Sequence, residues 1–498
     1  MKSLIASALL LVGAASCLPL AQGAPSPDRW WSPGDGRVFP AQLDYDNALG
    51  TLRVLLDGGP QKTKGHPFFE PLGSNGRACI TCHQPADSMS LSAQTARERW
   101  EATQGKDPLF AAIDGSNCPT LPQAERGSHS LLLEQGLIRV QRAWPPRDAA
   151  GKAMTPDFTI DVLRDPTGCN GPGAYGLLAK APSVSVYRRP RPVANLKYLT
   201  AVGFAYDPKQ GLPLPSDPQT GKLLSGNLMA DNRATTLAMQ AHDAALTHLE
   251  YTKGLKPAEL AEIVAFESRL FAAQQQNQGG VSLDSDGAGG GPKLLQVSEA
   301  GQLGSLGRAA VWDEFTPWEK PVAPASLTPA QREYRASVAR GARAFREKTF
   351  LISDSAGINS PMGFGNPVRN ACVFCHNMLQ MGNDVAPGQV DLGTTTLPFA
   401  DAQPGLPLFR ITCLKDAHPH YGPVILTHDP GFALTTGRCA DVGKITLQSM
   451  RGLAARAPYF SNGTGKDLRG VVDYYDRRYH IGYTEQEKQD LVNLMGAL

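Results

Sequence analysis

Two short stretches place redox-capable residues at one fixed spacing: Cys79-Ile80-Thr81-Cys82-His83 and Cys372-Val373-Phe374-Cys375-His376. Two cysteines separated by two residues reach the two vinyl groups of a haem, and each forms a thioether. The histidine that follows falls under the iron as its fifth ligand. A thioredoxin-like thiol pair needs a βαβ setting, and half a zinc site needs a second ligand pair at metal spacing. A second complete C-x-x-C-H decides between these readings. The chain is expected to carry two covalently bound haem c groups.

The rest of the composition suits an exported redox protein. The chain has 498 residues, 48 bases and 46 acids, a formal net charge of +2. So balanced a chain does not suggest nucleic acid or an anionic membrane surface as main partner. Residues 1–23 read as a signal peptide: Lys2, an apolar run from Leu4 to Val12, then small residues ending Ala21-Gln22-Gly23. Lipidation at Cys17 is the alternative, disfavoured by Ala14 three places earlier. No later stretch offers the ~18 consecutive apolar residues of a membrane span. The expected location is therefore the periplasm. Beyond Cys17 and the four motif cysteines stand Cys118, Cys169, Cys413 and Cys439, an even number that suggests two disulfides in an oxidising compartment. Proximity favours Cys118–Cys169 and Cys413–Cys439, although four cysteines allow three pairings.

The elements that must position the motifs are read as mainly α-helical. Two cytochrome-c-like haem domains are expected, at 24–275 and 326–498, with a loop-rich, short-strand insertion at 105–225 in the first. A helix is read around Leu43 to Leu56, and another over Ser92 to Gln104 with Ser90 or Ser92 as cap. Short strands are read at Ile138–Val140, Phe158–Leu163 and Val184–Tyr187. Helices follow at Ala234–Glu250 and Lys256–Phe271, the latter with Ile263, Val264 and Leu270 on an apolar face. Residues 276–325, with Gly279-Gly280 and Gly289-Gly290-Gly291, read as a flexible linker. Thr328-Pro329-Ala330-Gln331 and Thr484-Glu485-Gln486-Glu487 are capping boxes that open two further helices. His242 and His248 read as solvated helix residues. His418, His420 and His428 cluster between Cys413 and Cys439 and read as part of a surface loop, with a metal site as the alternative.

Several stretches resemble the bacterial dihaem cytochrome c peroxidase/MauG family, over roughly residues 66–104, 226–275 and 335–498. Ile263–Leu270 resembles the helix closing that family's first domain, and Arg340–Phe345 its Arg-Gly-x-x-x-Phe lead into the second haem. Ser449–Gly463 is similar to its Thr-Leu-Arg-Asn…Pro-Tyr-Phe-His-Asp-Gly stretch, and Asp231-Asn232-Arg233…Gln240-Ala241 to its Trp-Asp-Gly-Arg…Gln-Ala element. The resemblance implies reduction of hydrogen peroxide at the N-terminal haem, with electrons relayed through the C-terminal haem from a small periplasmic redox protein. It puts the acid–base glutamate on Glu250 and gives Arg233 an orienting or a structural role. The chain also departs from the pattern. The inter-haem tryptophan falls on Ala230, with Phe204 or Tyr206 as substitutes; the glycine falls on Asn232, the final histidine on Ser461, and Tyr251 replaces a methionine.

The same resemblance puts the sixth ligand of the C-terminal haem on Tyr475, a methionine in the peroxidases and a tyrosine in MauG. His480 is the rival. Five residues along a helix turn a side chain by about 140°, so both cannot face one iron. The N-terminal haem has no obvious sixth ligand, since Met89 follows His83 too closely and His129 lies in the insertion; an open iron face is expected there. Two other functions stay open: a MauG-like oxidase or haem-dependent oxygenase such as the latex-cleaving dihaem enzymes, and a non-catalytic electron carrier.

Overall fold

The computed structural model describes residues 29–148, 151–200, 224–298, 314–319, 326–359, 365–376 and 389–498. The chain is not mainly α-helical. Among the described residues helices hold only 30%, and 14 strands form several small sheets.

Side-chain period explains the difference. The stretch read as a helix from Leu43 to Leu56 is a hairpin, Gln42–Asn47 against Gly50–Leu56. In the second strand Leu52, Val54 and Leu56 are buried while Thr51, Arg53 and Leu55 are only partly so, a period of two rather than 3.6. Arg53 pairs across the hairpin with Asp44 at 2.8 Å. A third strand, Leu270–Asn277, completes this sheet. It takes the end of the stretch read as one helix over 256–271, so the helix covers only Pro257–Glu267.

Elsewhere local chemistry predicts the elements well. Ala93–Thr103 starts behind Ser92, whose hydroxyl accepts from the Thr95 amide. Pro329–Glu347 and Glu485–Ala497 open behind Thr328 and Thr484 with both capping boxes formed. These two helices pack side by side, and Gly341 permits it: a Cβ there would strike the Asp490 carbonyl. Asp490 then ties Ser337 and Arg340 at 2.6 and 2.9 Å.

The insertion contributes more than loops. Ile138–Ala143 pairs with Ser183–Arg188. Phe158–Arg164 pairs with Leu408–Cys413, which pairs in turn with Val424–Thr427. The insertion is therefore sewn into the second half of the chain. Cys118 and Cys169, and Cys413 and Cys439, lie at disulfide distance with Cα–Cα separations of 5.4 and 5.6 Å. Those are the two pairings that proximity favours. Residues 276–298 and 314–319, read as linker, hold the helix Pro292–Val297, and their Val281, Leu283, Phe315 and Trp318 join the core around Val338 and Leu494. Residues 1–23, Phe204 and Tyr206 lie outside the described residues. Among the described residues no helix is long and apolar enough to cross a membrane.

Candidate functional site

Both C-x-x-C-H motifs fold alike. Cys79–Thr81 and Cys372–Phe374 each form one tight turn, closed by the histidine amide donating to the first cysteine's carbonyl at 3.1 Å for His83 and 3.0 Å for His376. The turn brings two thiols and an imidazole to one side of the backbone, and each motif faces a cavity. The first is lined by Cys79, Cys82 and His83. The second is lined by Cys372, Cys375 and His376.

The thiols and imidazoles are in the forms that haem attachment uses. Burial pushes the thiols up, Cys82 to about 12 and Cys372 to about 11. A thioredoxin-like pair needs the opposite shift. Burial also lowers His83 and His376 to about 4, which keeps both rings neutral and able to ligate. His83 Nδ1 lies 3.1 Å from the Met89 carbonyl, which can only accept, so Nδ1 carries the proton and Nε2 is left for a metal. Among the described residues no three His, Cys, Asp or Glu side chains converge as a metal site of their own. The lining fits a haem.

The two cavities differ in chemistry. The first gathers ionisable side chains: Arg77, Asp114, Arg233, His248 and Glu267 all line it. Asp114 Oδ2 meets His248 Nδ1 at 2.5 Å, and its other oxygen pairs with the fully buried Arg77. Burial pushes Asp114 up, yet Arg77 and His248 beside it hold its carboxyl below the usual range. His248 is thus not a solvated helix residue. It ends the helix Leu237–Thr247, oriented by a carboxylate from the insertion. No spacing rule links residues 134 positions apart, and this dyad was invisible in the sequence.

Glu250 is half-buried, in left-handed backbone at φ 53°, and is not among the side chains lining the cavity. Arg233 lines it while pairing with Asp231 at 2.9 Å and Asp243 at 3.0 Å. Asp231, fully buried, also receives Arg188 at 2.7 Å, and Arg188 grips Asp429 at 2.6 Å. The Asp231-Asn232-Arg233 element is thus the hub of a buried ion cluster. His129 packs away from the cavity, between the Gly115 and Gln123 carbonyls at 2.7 and 3.0 Å. Met229 lines the cavity, a thioether that the sequence reading passed over.

Glu267 is 3% exposed, its Oε2 has no partner among the described residues, and burial pushes it to about 8. A carboxyl ordinarily titrates near ~4.3, so across that window the folded chain holds a proton that the unfolded chain releases. Stability from this group is full below the lower value and is lost as pH rises toward about 8. Glu267→Gln is expected to flatten that slope by a few kcal/mol between about pH 5 and 8, read by urea unfolding at both ends.

The second cavity is apolar and aromatic. Phe345, Phe350, Phe460, Tyr475, Tyr479 and Tyr483 line it. Tyr479 commits its hydroxyl to Ser355 at 2.8 Å and Tyr483 faces Cys372 Sγ at 3.5 Å. Tyr475, on the helix Leu468–Tyr479, stacks on Tyr479 at 6.3 Å, and burial together with Tyr479 pushes its phenol well up. His480 caps that helix, exposed and outside the lining, so of the two rivals only Tyr475 faces the cavity. His418 and His428 are buried rather than on a surface loop; His418 stacks on Tyr421 at 4.8 Å and His428 bonds the Pro407 carbonyl at 2.7 Å.

No family model matches the chain. Two curated proteins are similar to part of it. Cytochrome-c peroxidase IdrP1 of Pseudomonas sp. (strain SCT) is 32% identical over 147 residues, covering 26% of this chain and 36% of that protein. Cytochrome-c peroxidase IdrP1 of Denitromonas iodatirespirans is 28% identical over 146 residues, with the same shares. The chain thus spans about a third of the length of the curated relatives it matches. The likeness is thus to part of two proteins named cytochrome-c peroxidase.

Proposed function

We propose that the chain is an exported c-type cytochrome with two covalent haems that reduces hydrogen peroxide at the His83 site. The His376 site would serve as relay for electrons from a small redox protein. The contrast between the cavities carries this reading: one C-x-x-C-H faces ionisable groups able to move protons, and the other faces aromatic rings. Haem supplies the iron at which peroxide can bind and electrons can be exchanged. The chain supplies the rest. Cys79, Cys82 and His83 hold one group, Cys372, Cys375 and His376 the other, and the Met89 carbonyl fixes the His83 ring. His248, its Nδ1 held by Asp114, is oriented to move a proton from one oxygen of peroxide to the other. Glu250, two residues on, is the candidate that the family resemblance indicates.

Optical and EPR spectra of the resting protein, repeated after one equivalent of peroxide, test the proposal. A high-spin signal that peroxide consumes is expected. Two six-coordinate low-spin haems and unchanged spectra would sink it in favour of an electron carrier. His248→Gln is expected to slow the peroxide reaction by roughly 10²–10⁴, the range of general acid–base catalysis. Glu250→Gln measured beside it assigns the role: an unchanged rate removes Glu250 from the chemistry. Tyr475 in the second cavity and Ala230 in the first favour one further reading, a MauG-like oxidase acting on an organic or protein substrate.

A further inference from the structure

The two cavities share a wall, and the insertion builds one side of it. Arg189, Pro190 and Arg191 line the first cavity; Thr446, Leu447, Arg456 and Ser461 line the second. Arg191 crosses between them. Its Nη1 donates to the Thr446 carbonyl at 3.0 Å and to the Met229 carbonyl at 3.3 Å, and its Nη2 donates to the Leu447 carbonyl. Arg189 makes a parallel link: Nη2 donates to the Arg456 carbonyl at 2.8 Å and its amide to the Ser461 carbonyl at 2.8 Å. The Ala230 carbonyl, where the resembled family has its aromatic relay, accepts from the Thr446 amide at 2.9 Å in the same wall.

The wall is cationic, and its guanidiniums are held by carbonyls rather than by carboxylates. The side-chain hydrogen bonds of Arg189, Arg191 and Arg456 all go to backbone carbonyls: Leu91 and Arg456 for Arg189, Met229, Thr446 and Leu447 for Arg191, Ser449 and Arg451 for Arg456. Carbonyl oxygens satisfy donors but do not neutralise charge, and a buried cation without an anion is costly. Among the described residues none of the three guanidiniums is in ion-pair contact with a carboxylate; Asp87 and Asp231 act on Arg189 and Arg191 only from a distance. A haem brings two carboxylates into each cavity.

We propose that Arg191 is an electrostatic tie between the two haems: it receives propionate carboxylate from the first cavity while gripping the backbone that bounds the second. Arg189 and Arg456 extend the same positive wall. The inference rests on the reading of two haems per chain. Fixed positive charge beside a haem favours its reduced form, so the tie raises the potential of the His83 haem. It is a positioning and tuning residue, not a catalytic one.

Spectroelectrochemical titration of the holoprotein tests this, with haem counted by pyridine haemochromogen. Arg191→Gln is expected to keep two haems per chain and to raise the oxidised-to-reduced ratio of the His83 haem about tenfold at a fixed applied potential. That ratio corresponds to about 59 mV for a one-electron couple. Arg191→Lys, which keeps the charge, is expected to restore most of the shift. An unchanged potential in the glutamine variant with both haems present overturns the tie. Wild-type protein with one haem or none overturns the two-haem reading itself, and is told apart by the haem count. Should the glutamine variant not fold, resonance Raman of the wild type decides: propionate bending bands at hydrogen-bonded positions support the tie, and bands at free positions overturn it.

Discussion

Replacing Arg188 by methionine is expected to destabilise the protein by about 3–5 kcal/mol, the cost of leaving buried charge without its partner. Arg188 is 2% exposed and spans two carboxylates, Asp231 on one side and Asp429 on the other. Asp231 keeps Arg233 at 2.9 Å and Arg142 at 3.3 Å when Arg188 is lost. Asp429 loses a two-point contact of 2.6 and 2.9 Å, so most of the damage falls there. The double variant Arg188→Met/Asp429→Asn is therefore expected to recover part of the loss. Denaturant unfolding of the two variants beside the wild type checks both figures. A single variant within about 0.5 kcal/mol of wild type would show that the cluster is not an energetic hub.

The second large effect is expected from Cys372→Ala/Cys375→Ala. Haem content should fall from two to one per chain, with the His83 site still filled. The lining of the second cavity includes Phe345, Leu468, Tyr475, Leu491 and Met495 from the helices that pack the second half. A ligand that fills such a core cavity and binds only the folded state stabilises it. The loss is expected to be at least the ~3–5 kcal/mol of deleting one large core side chain. Pyridine haemochromogen gives the count, and limited proteolysis reads the loosening, with new cuts expected beyond residue 326. Full haem content in this variant would mean that attachment does not run through these cysteines.

What was legible in the sequence was local. The two C-x-x-C-H turns, the caps at Ser92, Thr328 and Thr484, and the β-branched runs at Ile138, Phe158 and Val184 each state their structure within a few residues. What was not legible depends on partners far along the chain. Gln42–Leu56 has enough leucine to pass for a helix, and only its pairing with Leu270–Asn277 makes its period of two count. His248 looked like a surface residue because Asp114, the carboxylate that orients it, lies in a segment with no motif. Arg188 and Arg191 sit in that same segment, and their meaning comes from Asp429 and from Thr446. Tyr475 and His480 could not be separated by spacing alone, and the helix end at Tyr479 separates them.

The strand Phe158–Arg164 finds its partner, Leu408–Cys413, about 250 residues later. The described lining of the first cavity, by contrast, runs only from Arg77 to Glu267, so the Cys79–His83 site can be walled before that partner strand is made. Such distant pairing is slow to form. The sheet that sews the insertion to the second half is thus a late step of folding, and the first site does not wait for it.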